Sequence, residues 1–163
     1  MNKTATFVPD VTDMPLINSA YKYLEYGICT LPKSTKGKFP VISKWKDYQY
    51  KLPTPEELDF WYTNYSQPID GLVIVTGEIS GITVIDIDSD EAKSQLWELL
   101  GEEFPTPATN PIIETPRGHH IYLPYTPEIK QTTNLWGIEG LDARNDGGVV
   151  VAPPTKNYRR MKS

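Results

Sequence analysis

Ile82-Thr83-Val84-Ile85-Asp86-Ile87-Asp88 is an apolar, β-branched run that ends in two acids. Side chains alternate along a strand, so Asp86 and Asp88 share one face, with Cα atoms ~6.6–7 Å apart, and Ile85 and Ile87 take the other face toward a core. Two carboxylates on one face at a strand end repel each other unless a cation lies between them. Hard oxygen ligands suit Mg²⁺ or Mn²⁺. A solvated turn through Asp88-Ser89-Asp90 accounts for the same residues without a metal.

Working outward, Gly71 to Val75 is a second Val/Ile-rich run. Glu78-Ile79-Ser80-Gly81 lies between the two runs, and together they read as a hairpin of buried strands. Ser89 caps a helix that runs to about Leu100. Pro111 to Thr115 and His119 to Leu123 form a further strand pair around Pro116-Arg117-Gly118. Gly147-Gly148 leads into a strand from Val149 to Ala152, which Pro153-Pro154 ends. On the N-terminal side, Leu16, Ile17, Ala20, Tyr23 and Leu24 recur at helical spacing, which predicts a helix over Met14 to Tyr26. Asp13 is the expected cap and Gly27 the stop. Ile28 to Leu31 is a short strand, and Pro32 to Lys51 is a lysine-rich loop. Thr54-Pro55-Glu56-Glu57 is a capping box with proline at the first helical position, opening a helix that ends near Tyr65. Helices and strands alternate but hairpins recur, so the expected class is α+β with a largely antiparallel or mixed sheet.

The 163 residues suit one domain, 1–163. With 39 % hydrophobic and 23 % charged residues, disorder, collagen and coiled coil are set aside. No apolar run approaches the ~20 residues of a membrane span, so no membrane partner is expected. Met1 to Asp10 lacks a basic stretch followed by an apolar one, so no secretory leader is expected. Cys29, the one cysteine, excludes an internal disulfide framework and a Cys-rich zinc site, and fits a cytoplasmic protein. The net charge of −5 opposes nucleic-acid binding, but its distribution is uneven. Lys33, Lys36, Lys38, Lys44, Lys46 and Lys51 face only one acid, Asp47. Glu56 to Glu103 holds twelve acids and one base, and Lys156 to Lys162 four bases and no acid. Solvated faces of mixed sign give the same pattern.

Two more stretches carry chemistry. In Thr115-Pro116-Arg117-Gly118-His119-His120-Ile121-Tyr122, the glycine turn brings backbone N–H groups and Arg117 together as an anion site. The alternation puts His120 and Tyr122 on one face, His119 and Ile121 on the other. An imidazole donates to a phosphate oxygen or shuttles a proton; one exposed histidine and one satisfied within the sheet is the plainer reading of the pair taken by itself. Adjacent strand residues point apart, so His119 and His120 do not form a zinc site. In Leu141-Asp142-Ala143-Arg144, an extended backbone places Asp142 and Arg144 on one face, as a metal ligand and a phosphate contact or as a structural ion pair. A third carboxylate beside Asp86 and Asp88 makes a divalent-metal triad suited to phosphoryl or nucleotidyl transfer. No Walker A motif, Rossmann glycine fingerprint or Gly-x-Ser-x-Gly elbow is present.

These stretches, in this order, resemble the prim-pol domain (bifunctional DNA primase/polymerase) of the archaeo-eukaryotic primase superfamily. The resemblance runs from about Gly27 to Thr155. It takes in Lys38-Phe39-Pro40, Trp45, Thr54-Pro55-Glu56-Glu57, Trp61, Val75-Thr76-Gly77, Ser80-Gly81 and Val84 to Asp88. It continues through Thr115 to Tyr122, Leu141 to Arg144, Gly147-Gly148 and Val151-Ala152-Pro153-Pro154-Thr155. The family's paired-acid motif matches Asp86 and Asp88, its small-x-His motif His120, and its later acid Asp142. The resemblance implies that the three acids hold two Mg²⁺ or Mn²⁺ ions and no zinc. It implies that His120 contacts the incoming nucleotide, with Arg117, Gly118 and Arg144 as further nucleotide contacts. The implied fold is an RRM-like sheet with flanking helices beside a smaller α/β subdomain, with the active site in the cleft between them.

The implied activity is template-directed nucleotidyl transfer from (d)NTPs, releasing pyrophosphate, in the replication of a phage, plasmid or other mobile element. Its setting would be the cytoplasm of a bacterial, archaeal or host cell. Lys36, Lys38, Lys44 and Trp45 are the expected contacts to a single-stranded DNA template, with Tyr48 as a second stacking ring and the basic tail facing phosphates. A replicative helicase on the same or another chain is a further implied partner. Arg117 stands where the family has a small polar residue. The family's Pro-Pro-Ser is followed by a glycine and a Tyr-x-Trp strand, whereas here Pro-Pro-Thr is followed only by Lys156 to Ser163. A domain without those strands, whether shortened, naturally small or working with a separate helicase, would be a catalytically weak or inactive nucleotide- or DNA-binding replication module. A metal-dependent nuclease is the other alternative.

Overall fold

The computed structural model describes residues 6–163. Met1 to Ala5, half of the stretch read for a leader, lie outside the described residues. Among the described residues there are three α-helices: α1 (Leu16–Glu25), α2 (Pro55–Asn64) and α3 (Asp90–Leu100). Eight strands complete the framework: β1 (Thr30–Ser34), β2 (Ile69–Val75), β3 (Ile82–Ile87), β4 (Ile112–Glu114), β5 (His119–Pro124), β6 (Leu141–Arg144), β7 (Val149–Ala152) and β8 (Arg159–Arg160). They form a three-stranded sheet, β1-β2-β7, and a five-stranded sheet, β6-β3-β5-β4-β8. Every ladder is antiparallel, as an α+β chain rich in hairpins requires. No helix among the described residues is long and apolar enough to cross a membrane.

Two of the helix starts follow from their caps. The Thr54 hydroxyl accepts the Glu57 N–H while the Glu57 carboxylate accepts the Thr54 N–H, with Pro55 at the first position. Ser89 accepts the Ala92 N–H at the start of α3. Each such cap stabilises its helix by about 1 kcal/mol. The start of α1 departs from expectation. Its N-cap is Pro15, without a side-chain bond. Asp13 lies in the left-handed region and takes two hydrogen bonds from Arg159, at 2.8 and 3.0 Å. A bidentate guanidinium outcompetes a single backbone N–H for that carboxylate.

The expected hairpin of β2 with β3 does not form. β2 lies between β1 and β7, and β3 lies between β5 and β6, so the two runs belong to different sheets. Their Val/Ile content reports burial on both faces and leaves the pairing partner open. Between them, Gly77 and Gly81 take positive φ, and the Gly77–Ile82 backbone bonds turn the chain out of one sheet and into the other. The strand expected at Ile28 to Leu31 starts at Thr30 and reaches Ser34 instead. Its Pro32 is tolerated because β1 is an edge, and the Ser34–Phe39 and Val41–Pro32 backbone bonds cover that edge.

The five-stranded sheet buries its two faces in different cores. Ile85, Ile87, Ile121, Leu141 and Ala143 pack with Ala92 and Leu96 of α3. Val84, Tyr122 and Ile113 join the core of the three-stranded sheet, with Ala20 and Tyr23 of α1 and Leu58 and Trp61 of α2. At one end of this second face the apolar residues give way to acids and a histidine.

Candidate active site

Register explains the constellation. Asp86 on β3 is paired directly with His120 on β5 and with Asp142 on β6, so three adjacent strands present Asp142, Asp86 and His120 in one row. Cross-strand neighbours share a face at ~4.5–5.5 Å between Cβ atoms. Asp88 follows β3, its N–H bonded to the Gly140 carbonyl at 2.9 Å. Asp86, Asp88 and Asp142 each offer an oxygen, and these atoms lie within 4.8 Å of one another.

The donor set fits a hard divalent cation. Among the described residues the buried Asp86 Oδ1 has no hydrogen-bond partner, and His120 Nε2 stands 3.5 Å from it. Burial pushes the Asp86 carboxyl up, but His120 and a hydrogen bond shared with Asp88 hold it below the usual carboxylate range. Asp88 is pushed above that range, first by burial and then by repulsion from Asp86. Carboxylates packed this closely leave an excess of negative charge that a divalent ion neutralises. Asp142 accepts the Asn134 N–H at 3.1 Å and faces Arg144 Nη2 at 3.4 Å. Asn134 is in the left-handed region, a conformation asparagine tolerates.

The site opens into a cavity of about 320 Å³ between the two sheets. Asp86, Asp88, His120, Arg117 and Arg144 line it on one side, with Val149 to Val151 of β7, Lys38 and Trp45. Of the residues expected to contact DNA, Lys38 and Trp45 therefore reach the site, whereas Lys36 and Lys44 are exposed and are not part of its wall. Lys33 is tied to Asp70 at 2.6 Å. Tyr48 is buried, bonded to Glu57 and set edge-on to Trp61, so it is a core ring and not a stacking platform. The Gly118 N–H is given to Thr115 Oγ1, and a Cβ there would lie 1.9 Å from the Ile87 carbonyl oxygen. Gly118 thus lets its turn approach β3, and Arg117 is what the turn offers the cavity. His119 lies on the opposite face, in an apolar groove with Ile87, Trp97 and Ile121.

Two lining residues escaped the sequence reading, Gln131 and Tyr158. Gln131 Oε1 accepts the Asn145 N–H at 3.1 Å, and Gly148 leaves the room its side chain needs. Tyr158 sits in what reads as a basic tail. That tail is only partly free: Arg159 pairs with Asp13, Arg160 donates to the Val8 carbonyl, and both form β8 against β4. The Tyr-x-Arg following Pro-Pro-Thr, where the family places a Tyr-x-Trp strand, was the signal for it.

A family model described as bifunctional DNA primase/polymerase, N-terminal, matches residues 20–163. The chain belongs to the Prim-Pol family. No protein of curated function matches it in sequence. The Prim-Pol assignment covers the capped helices, both sheets and the acid triad together.

Proposed function

We propose that this Prim-Pol chain is a DNA primase-polymerase catalytic domain that joins nucleotides from (d)NTPs along a single-stranded DNA template and releases pyrophosphate. The observation that carries the reading is the convergence of Asp86, Asp88 and Asp142 beside His120, with Asp86, Asp88 and His120 lining a cavity that Arg117, Arg144 and Lys38 flank. In this reading the five-stranded sheet with α3 is the RRM-like body, the three-stranded sheet with α1 and α2 is the smaller subdomain, and the whole chain works as one catalytic domain.

Asp86, Asp88 and Asp142 would hold two divalent ions, Mg²⁺ or Mn²⁺. Bound there, the ions supply charge stabilisation to the triphosphate and lower the pKa of the attacking 3′ hydroxyl. The protein's own share is positioning. His120 donates to a phosphate oxygen, and Arg117 and Arg144 neutralise the leaving pyrophosphate. Lys38 and Trp45 meet the template at the cavity rim, and Lys36 and Lys44 extend the cationic surface along it. Replication of a mobile element, inside a cell and alongside a helicase, is the setting this chemistry suits.

The test is incubation with single-stranded template, labelled nucleotides and Mg²⁺ or Mn²⁺, with and without primer. Extended product and pyrophosphate are expected. Binding without incorporation would leave only a nucleotide- or DNA-binding module, and shortened DNA would make the chain a nuclease.

A further inference from the structure

Tyr158 occupies a position that neither the acid triad nor the phosphate contacts explain. It is 6 % exposed and belongs to the core of the three-stranded sheet, yet its ring also walls the cavity. Its centroid lies 6.1 Å from that of the His120 imidazole, at a tilt of 43°. The phenol is pushed up by burial and then by the charges of Asp86 and Asp88, which places the ring in their field.

The backbone around Tyr158 is fastened on both sides. Its N–H donates to the Thr155 carbonyl at 3.0 Å. The Thr155 hydroxyl both accepts from the Leu72 N–H, at 3.0 Å, and donates to the Leu72 carbonyl, at 3.3 Å, on β2. Gly71 makes that clasp possible, because a Cβ there would lie 2.5 Å from Thr155 Oγ1. The two residues after Tyr158 form β8, pairing Arg159 with Glu114 and Arg160 with Ile113 on β4 of the other sheet. Ile113 is in turn the cross-strand neighbour of His120. Tyr158 therefore stands where the chain steps from one sheet to the other, held by β2 on one side and β4 on the other.

His120 needs such a neighbour. Its Nδ1 is buried without a hydrogen-bond partner among the described residues, and its Nε2 has only the 3.5 Å contact with Asp86. An imidazole without a hydrogen bond at Nδ1 is not oriented in the usual way, by a carboxylate or carbonyl behind it. Packing must do that work. We propose that Tyr158 is a positioning residue whose ring holds the His120 imidazole in the cavity beside Asp86. The role of His120 toward nucleotide rests on the function proposed above, whereas the packing does not.

The test uses the full chain with Tyr158→Phe, Tyr158→Leu and Tyr158→Met, and His120→Ala as the reference. The nucleotide-free readout is ¹³C relaxation of the His120 ring C–H groups. The ring is expected to be rigid in the wild type and in Tyr158→Phe, and mobile on the nanosecond scale in the Leu and Met variants. The kinetic readout is a double-mutant cycle. Tyr158→Leu is expected to lower kcat/KM for nucleotide by up to about a hundredfold, with the same split between kcat and KM as His120→Ala. Adding it to His120→Ala should cost nothing more, and Tyr158→Phe should restore wild-type values. A rigid His120 ring in both folded aliphatic variants, or effects of Tyr158→Leu and His120→Ala that multiply, would overturn the proposal. Should Tyr158→Leu not fold, Tyr158→Met carries both readouts. A wild type that incorporates no nucleotide would overturn the proposed function alone, and ring relaxation would still decide the positioning role.

Discussion

His119 and His120 are neighbours on one strand and live in different chemistry. His120 lines a charged cavity with Asp86, on the face that Asp142 shares, and His119 lines an apolar groove with Ile87 and Ile121 under α3. The same division holds along β3, where Asp86 and Val84 face one way and Ile85 and Ile87 the other. The difference teaches that the period of two in a strand is enough to sort reacting groups from packing groups. It also shows where the site is allowed. On the site face Val84, Tyr122 and Ile113 continue the row into a shared core. The acids are tolerated only at the end of that row, where the two sheets part and water or an ion reaches them. A slip of one residue in β5 would exchange the two environments outright.

The strongest way to break the comparison is to act on the charged face alone. Asp142→Ala is expected to reduce nucleotide incorporation by about a thousandfold or more, as befits several kcal/mol of lost charge stabilisation. The metal-free protein should stay folded with a small change in thermal midpoint, because relief of repulsion with Asp86 and Asp88 offsets the lost Asn134 and Arg144 contacts. Mn²⁺ should raise the midpoint of the wild type and not that of the variant. If Asp146→Ala proves the inactivating change instead, the third ligand is misassigned. Asp146 is held by the Tyr125 hydroxyl and the Glu78 N–H, at 2.6 and 2.9 Å, as a turn residue is. On the opposite face, Ile87→Ala is expected to cost about 2–5 kcal/mol of stability, with denaturant unfolding as the measurement. Its activity at low temperature should survive. Loss of activity with stability intact would show that the two faces are not separable.

How far the sequence discloses this division depends on the kind of information. Alternation in Ile82 to Asp88 and in His119 to Tyr122 assigns each side chain to a face, because facing is a local property of the strand. The capping box at Thr54 and the cap at Ser89 are local too. Pairing is not. Two Val/Ile runs six residues apart look like a hairpin, and nothing in their composition says that each is an interior strand of its own sheet. The row Asp142–Asp86–His120 likewise depends on register between strands far apart in sequence, and in the sequence only the order of the family's motifs points to it. Basic residues can be counted in the sequence, but their partners cannot be read from it: Lys33 is held by Asp70, and Arg159 by Asp13. Tyr158 was hidden because a tail of four bases reads as a solvated end, whereas tertiary clasps at Thr155 and β8 fold it back into the site.

A finer probe exchanges the histidines. His120→Ala removes a charge-assisted donor and is expected to lower kcat/KM about ten- to a hundredfold, from the 1.5–3 kcal/mol such a bond contributes. His119→Ala should leave kcat/KM near the wild-type value in the same assay. Equal losses in both variants would mean that β5 is not read in the register described.

The smallest expected effect belongs to His119 and concerns stability against pH. Burial first, and then the Lys93 ammonium, lower its pKa from the ordinary 6.5. The unfolded chain therefore binds a proton at His119 more readily than the folded one. Stability rises with pH wherever the unfolded state binds more protons. The contribution of His119 is thus fully present above its unfolded value and is lost as pH falls below 6.5 toward the folded value. The ring is only half-buried, so the effect should stay below about 1 kcal/mol. Thermal midpoints of the metal-free protein between about pH 5 and 7.5 should decline toward acid, and His119→Gln should shallow that decline without changing activity at neutral pH. A decline that is unaltered in His119→Gln would place the acid sensitivity elsewhere and overturn the role given to His119.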